Sequence, residues 1–201
     1  YIIEGADDDF NKVASSDGKT KDKLRATAKT TRLGLDFNTN VGGDNKLGGK
    51  VEVDFAGSTT DSNGALRIRH AYLTYNNWLF GQTTSNFLSN HAPEMIDFAT
   101  NVGGGTAARI PQVRYGFNLA PATKLFISAE EGDSSGKNIK YSVPNLTAKL
   151  TQGFADGKGS VSARALVENY KSADDSDTAW GLAAGVNYQV MDRLKISADV
   201  S

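Results

Sequence analysis

The chain has 201 residues, 22 Lys and Arg against 23 Asp and Glu for a formal net charge of −1, and no cysteine. That length allows one or two ordinary domains, the charge balance gives no argument for nucleic acid or an anionic surface as partner, and the missing thiol excludes disulfide frameworks, thiolate metal sites and cysteine nucleophiles. The longest apolar stretch, Ala179 to Val186 with its glycines, falls far below the roughly 20 residues of a spanning helix, so a helical membrane protein is excluded.

Along the chain, apolar and polar residues alternate in short runs broken by turn chemistry. Tyr1–Ile3 reads as the end of one strand. Ten more follow at 24–38, 47–56, 66–75, 78–83, 112–119, 124–131, 145–154, 160–171, 178–190 and 194–201. Leu33, Leu35 and Phe37 alternate with Arg32 and Asp36; Val51, Val53 and Phe55 with Glu52 and Asp54; Leu66 and Ile68 with Arg67 and Arg69. Successive side chains of a strand point to opposite faces, so each run has one apolar and one charged face. The prolines 93, 111, 121 and 144 fall between runs, where a missing N–H costs no ladder bond.

The connections differ in kind. Asn76-Asn77, 120–123, 155–159, 191–193 and the glycine-rich 39–46 are short, whereas 4–23, 57–65, 84–111, 132–144 and 172–177 are longer and more polar. A soluble β-sandwich turns its apolar face inward and has no reason to segregate loop lengths by side. A transmembrane barrel turns it toward lipid, with short turns at one end and long loops at the other. The second reading predicts an all-β, transmembrane antiparallel barrel. Closure needs an even number of strands, and the count is eleven with alternation still running at Ser201. The expectation is therefore one β-barrel domain over 1–201, incomplete at both ends.

Parity assigns Leu33, Val51, Ile68, Val113, Ile127, Leu150 and Leu182 to the lipid face, with Tyr72, Tyr115, Trp180 and Tyr188 as a girdle. The opposite face receives Arg32, Lys50, Arg67, Arg69, Arg114, Lys124, Lys149, Arg164 and Lys195 against Asp36, Glu52, Asp54, Glu130, Glu168 and Asp199. Arg109, closing the longest connection, adds to this cationic bias. In a narrow passage such an excess concentrates anions. The connection at about 84–111 is too long to be idle, and its Phe87, Leu88, Met95, Ile96 and Phe98 call for burial. The lumen is the natural place, with Glu94 and Asp97 set opposite the arginines.

Other signals are weak. His70 takes the outward parity with no second ligand or nucleophile beside it, and His91 lies in the long connection. No spacing suggests a metal site, and no catalytic residue or cofactor is expected. Gly103-Gly104-Gly105 lacks the context of a phosphate loop. The acidic runs Asp7-Asp8-Asp9 and Asp174-Asp175-Ser176-Asp177 read as solvated external loops, divalent-cation binding being the less favoured reading.

One resemblance is specific. LRIRHAYLTY (66–75), Asn76-Asn77, Leu79-Phe80-Gly81-Gln82, the PEMID-containing connection and Arg109-Ile110-Pro111-Gln112-Val113-Arg114-Tyr115 resemble the strand–turn–strand–constriction-loop–strand core of general trimeric bacterial porins. PNLTAKL (144–150), GSVSARALV (159–167) and AWGLAAGVNYQV (179–190) are more closely similar to DcaP-type porins. The resemblance implies a sixteen-stranded barrel in the bacterial outer membrane, of which the chain covers about the first two-thirds, too little to conduct alone. It implies homotrimers among lipid and lipopolysaccharide, passing small anionic solutes such as dicarboxylates, with no nucleic acid as partner and no enzyme activity. The implied constriction sets Arg67, Arg69, Arg109 and Arg114 against Glu94 and Asp97, and parity adds Arg32, Lys149 and Arg164 to the pore lining. An outer-membrane barrel enzyme is the least favoured reading.

Overall fold

The structure, a computed structural model, describes residues 28–57, 64–88, 108–132, 139–141, 143–172 and 175–201. Its strands are β1 (Leu33–Asn40), β2 (Lys46–Asp54), β3 (Arg67–Tyr75), β4 (Trp78–Thr84), β5 (Arg109–Ala120), β6 (Thr123–Glu130), β7 (Ile139–Tyr141), β8 (Asn145–Phe154), β9 (Gly159–Ser172), β10 (Asp175–Met191) and β11 (Leu194–Val200). They form one 11-stranded sheet in the order β1-β2-β3-β4-β5-β6-β8-β9-β10-β11, with β7 paired to β9. From β3 onward the pairing is antiparallel throughout. The chain packs as two units, one of 1–33, 53–67 and 92–106, the other of 34–52, 68–91 and 107–201.

Local chemistry accounts for the hairpins. Asn76 opens the β3–β4 turn at φ 50, a left-handed conformation that asparagine tolerates, and its side-chain oxygen accepts the Lys46 N–H at 2.9 Å. The β8–β9 turn carries Ala155, Asp156 and Gly157 at φ 51, 53 and 87. The predicted strands from 47 onward recur within a few residues. The beginning of the chain is different: β1 starts at Leu33 rather than at 24, because Lys29 and Thr30 form a turn. The strand end expected at Tyr1–Ile3 lies outside the described residues.

Two further differences lie at the long-loop end. β7 spans 3 residues, too short to show alternation. The loop expected at 172–177 is largely ladder instead, since Asp175 pairs with Ser172, Ser176 with Lys171 and Asp177 with Tyr170. β9 and β10 therefore run 14 and 17 residues, beyond the roughly 9–11 that cross a bilayer. Acidic residues do not break a ladder whose two faces both meet water.

The distribution of burial is inverted relative to a soluble domain. Among the described residues the buried apolar side chains are Leu79 and Ala183, whereas Asp54, Arg69, Gln112, Ser128, Glu130, Thr147, Lys149 and Arg164 are all buried. Leu35, Ile68, Ile127, Leu146, Leu182 and Ile196 are exposed. A sandwich core is the reverse, and an exposed face of this extent requires an apolar neighbour. Near the short turns it carries aromatic rings in contact: Trp78 against Tyr115 and Tyr115 against Phe117, both at 4.7 Å between centroids, and Phe154 on Tyr188 at 5.8 Å. Amphipathic rings at one level suit a membrane interface.

Tyr72 and His70, assigned outward from the sequence, are inward. Tyr72 pairs with Gly81, Gly81 with Gln112 and Gln112 with Glu130, which places Tyr72 on the polar face. His70 Nδ1 lies 2.9 Å from Thr83 Oγ1, and Thr83 is buried on that same face. The exposed apolar residues of β3 change from Ile68 to Leu73, an odd interval. The alternation therefore slips by one residue between them, as at a β-bulge. Gly81 takes φ 127 opposite Tyr72; a side chain there would meet the Ala71 carbonyl oxygen.

Candidate solute pathway

Cross-strand pairing arranges the polar face in rows. One runs from Arg114 on β5 through Ser128 on β6, Thr147 on β8 and Leu166 on β9 to Gly181 on β10. The next runs from Gly116 through Phe126, Lys149 and Arg164 to Ala183. Cations and small polar groups thus dominate one surface, with Phe126 packed over Gly116 and Phe87 over Gly181.

Among the described residues, Lys50, Arg67, Arg69 and Arg164 are paired with carboxylates. In the first unit Arg67 grips Asp54 as a fork, with Nε to Oδ1 at 2.9 Å and Nη2 to Oδ2 at 2.6 Å, and Asp54 is 1% exposed. In the second unit Arg69 Nε donates to Glu52 Oε1 at 2.8 Å, and Lys50 reaches Asp36 at 3.4 Å and Glu52 at 3.6 Å. Arg164 Nη2 meets Asp199 Oδ2 at 2.5 Å. Bidentate charge-assisted pairs hold side chains in place while cancelling their distant field. Removing a buried acceptor leaves the donor without compensation, so Asp54→Ala is expected to destabilise the folded protein by about 1.5–3 kcal/mol, read from its denaturation midpoint in detergent.

Arg114 and Lys149 differ. Among the described residues no carboxylate oxygen lies within ion-pair distance of either. Arg114 lies over the Phe126 ring, 5.7 Å from guanidinium carbon to centroid, a cation–π contact. Lys149 donates from Nζ to the Leu88 carbonyl at 2.7 Å, which stabilises the ammonium without cancelling its charge. Lys149 and Arg164 are direct cross-strand partners, an arrangement of like charges that costs stability.

The start of the long connection lies on the same face. Ser85 Oγ donates to Glu130 Oε2 at 2.6 Å and the Asn86 N–H to Glu130 Oε1 at 2.7 Å. Asn86 Nδ2 reaches the Phe126 carbonyl and Thr147 Oγ1, both at 3.1 Å. Thus residues after β4 fold onto the polar side of β6 and β8, the side the sequence assigns to the connection.

The remaining expected site residues are not gathered there. Arg32 is exposed and precedes β1. Arg109 pairs with Thr84 at the end of the β4–β5 ladder, in the parity of Val113 rather than of Arg114; the three-residue interval from Gln112 gives it the register of the apolar face. Glu94, Asp97 and His91 lie outside the described residues. Sequence reasoning passed over Asn86, Thr147, Phe126 and Gly181, and it placed Glu130 on the polar face without a role. Their only signal is parity, which does not reveal a contact between residues 45 apart, as Ser85 and Glu130 are. No group of three or more His, Cys, Asp or Glu able to hold a metal occurs among the described residues.

Comparison with known proteins agrees with this arrangement. Residues 10–198 match the DcaP outer membrane protein family. The crystal structure of the outer membrane channel DcaP of Acinetobacter baumannii is similar at 72% identity and a TM-score of 0.86, covering 99% of this chain and 59% of that one. The chain thus spans about three-fifths of that channel's length. A search of curated proteins gave no match. Its inverted antiparallel sheet is that of a bacterial outer-membrane β-barrel protein, and the chain belongs to the DcaP outer membrane protein family.

Proposed function

We propose that the protein is a passive channel of the outer membrane for small hydrophilic solutes, with a preference for anions of the dicarboxylate kind. The observation that carries this reading is the burial of polar groups and exposure of apolar ones on opposite faces of one sheet, which suits lipid outside and water inside. Arg114 and Lys149, with no carboxylate partner among the described residues, supply the attraction for anions, and the paired Arg67, Arg69 and Arg164 add a graded wall. Solutes exchange hydration for several weak charge-assisted contacts, so they enter and also leave. Glu94 and Asp97 in the connection set the opposing charge across the passage. The working unit is a homotrimer among lipopolysaccharide and lipid, and the process involves no bond-making chemistry and no cofactor.

The test is the zero-current potential of the full-length protein in a planar bilayer across a potassium chloride gradient. A potential of anion-selective sign supports the reading. A folded protein that conducts with cation preference removes the assignment of the basic wall, and one that fails to conduct removes the channel. Heat-modifiable migration of a species three times the subunit mass checks the assembly.

A further inference from the structure

We propose that Glu130 and Phe87, with Gly181 as its seat, are positioning residues that fix the bore of the channel by docking the root of the long connection across the polar face. The inference rests on the channel reading above and adds to it the groups that set pore size. The root is the turn 85–88, in which the Leu88 N–H meets the Ser85 carbonyl at 3.3 Å and the Phe87 N–H meets Ser85 Oγ at 3.2 Å. Glu130, 3% exposed at the end of β6, has no cation at ion-pair distance among the described residues. Both of its oxygens instead accept from uncharged donors: Ser85 Oγ, the Asn86 N–H, and Thr147 Oγ1 at 3.3 Å. A buried carboxylate is kept only where donors replace its water, and two of these three belong to the root. Glu130 is therefore an anchor for the turn rather than a charge offered to solute.

The far end of the root has its own seat. A side-chain carbon added at Gly181 would lie 3.2 Å from Phe87 Cζ, closer than ordinary contact, so the ring occupies space that only glycine leaves on β10. From Glu130 on β6, past Lys149 on β8, to Gly181 on β10, the four-residue turn bridges the polar face. An aromatic ring laid across a polar wall narrows the water path beside it, and the cross-sectional area left open follows from where the root is held.

The experiment uses full-length protein in planar bilayers and in liposomes, with neutral sugars of increasing size as probes. Glu130→Ala and Ser85→Ala remove the same hydrogen bond from its two sides, one with a change of charge and one without. Phe87→Ala removes the ring. All three are expected to raise single-channel conductance and to admit sugars that the parent excludes, and Ser85→Ala is expected to leave the reversal potential unchanged. Parental conductance and sugar cut-off in folded Ser85→Ala and Phe87→Ala proteins overturn the proposal, and these two keep it testable if Glu130→Ala does not fold. Because the sugars are uncharged, loss of anion preference in the parent leaves this result standing. A parent that does not conduct overturns both.

Discussion

Replacing Lys149 and Arg114 together by glutamine is expected to lower the anion-to-cation permeability ratio on the order of tenfold. A unit charge about 5 Å from a passing ion contributes about 0.8 kcal/mol even in water, roughly fourfold in local concentration. Screening at physiological salt acts over about 8 Å, so it weakens this only in part. These two cations have no carboxylate at ion-pair distance among the described residues, so their field is not cancelled at source. Reversal potentials of the double variant, compared with the parent at two salt concentrations, check the expectation. An unchanged ratio would falsify the role given to the pair. Arg67 and Arg69 behave differently: neutralising them strips partners from Asp54 and Glu52, so anion preference falls through exposed acid and stability falls with it.

The second large effect lies on the opposite face. Ile127, in the middle of β6 and exposed, carries an arginine at a cost of about 2–4 kcal/mol if it faces the bilayer midplane. At an exposed position of a water-soluble sheet the same change stays within about 0.5 kcal/mol. Folding of Ile127→Arg into lipid vesicles, followed by denaturant titration, separates the two. A destabilisation below about 1 kcal/mol contradicts a lipid-facing Ile127, since the membrane penalty is several times larger.

Much of the fold was legible because a strand advertises its two faces in the order of its residues. Val161, Ala163 and Val167 against Ser162, Arg164 and Glu168 require no knowledge of a partner strand. Short turns were legible for the same local reason, Asn76-Asn77 being the clearest. The assignments that failed depended on one-residue events. Tyr72 and His70 changed sides because the alternation of β3 slips between Ile68 and Leu73, and such a slip moves every later side chain to the other face. Arg109 lies on the apolar parity because it stands an odd number of residues from Gln112 and Arg114 is even from it. β7 escaped notice because three residues do not make a pattern.

The candidate site divides along the same line. By itself the sequence determined an all-β chain with one apolar and one charged face, an excess of basic residues on the charged face, and a partly apolar connection after β4. Each follows from composition and period, which are properties of neighbours along the chain. Only the tertiary structure decided which of the cations stand beside a carboxylate. Asp54 and Arg67 stand 13 residues apart and Asp199 and Arg164 stand 35 apart, and sheet register, not sequence distance, brings each pair within hydrogen-bond reach. The turn 85–88, folded onto the sheet, likewise brings Ser85 to Glu130 and lays Phe87 over Gly181, and no period within one strand encodes such contacts.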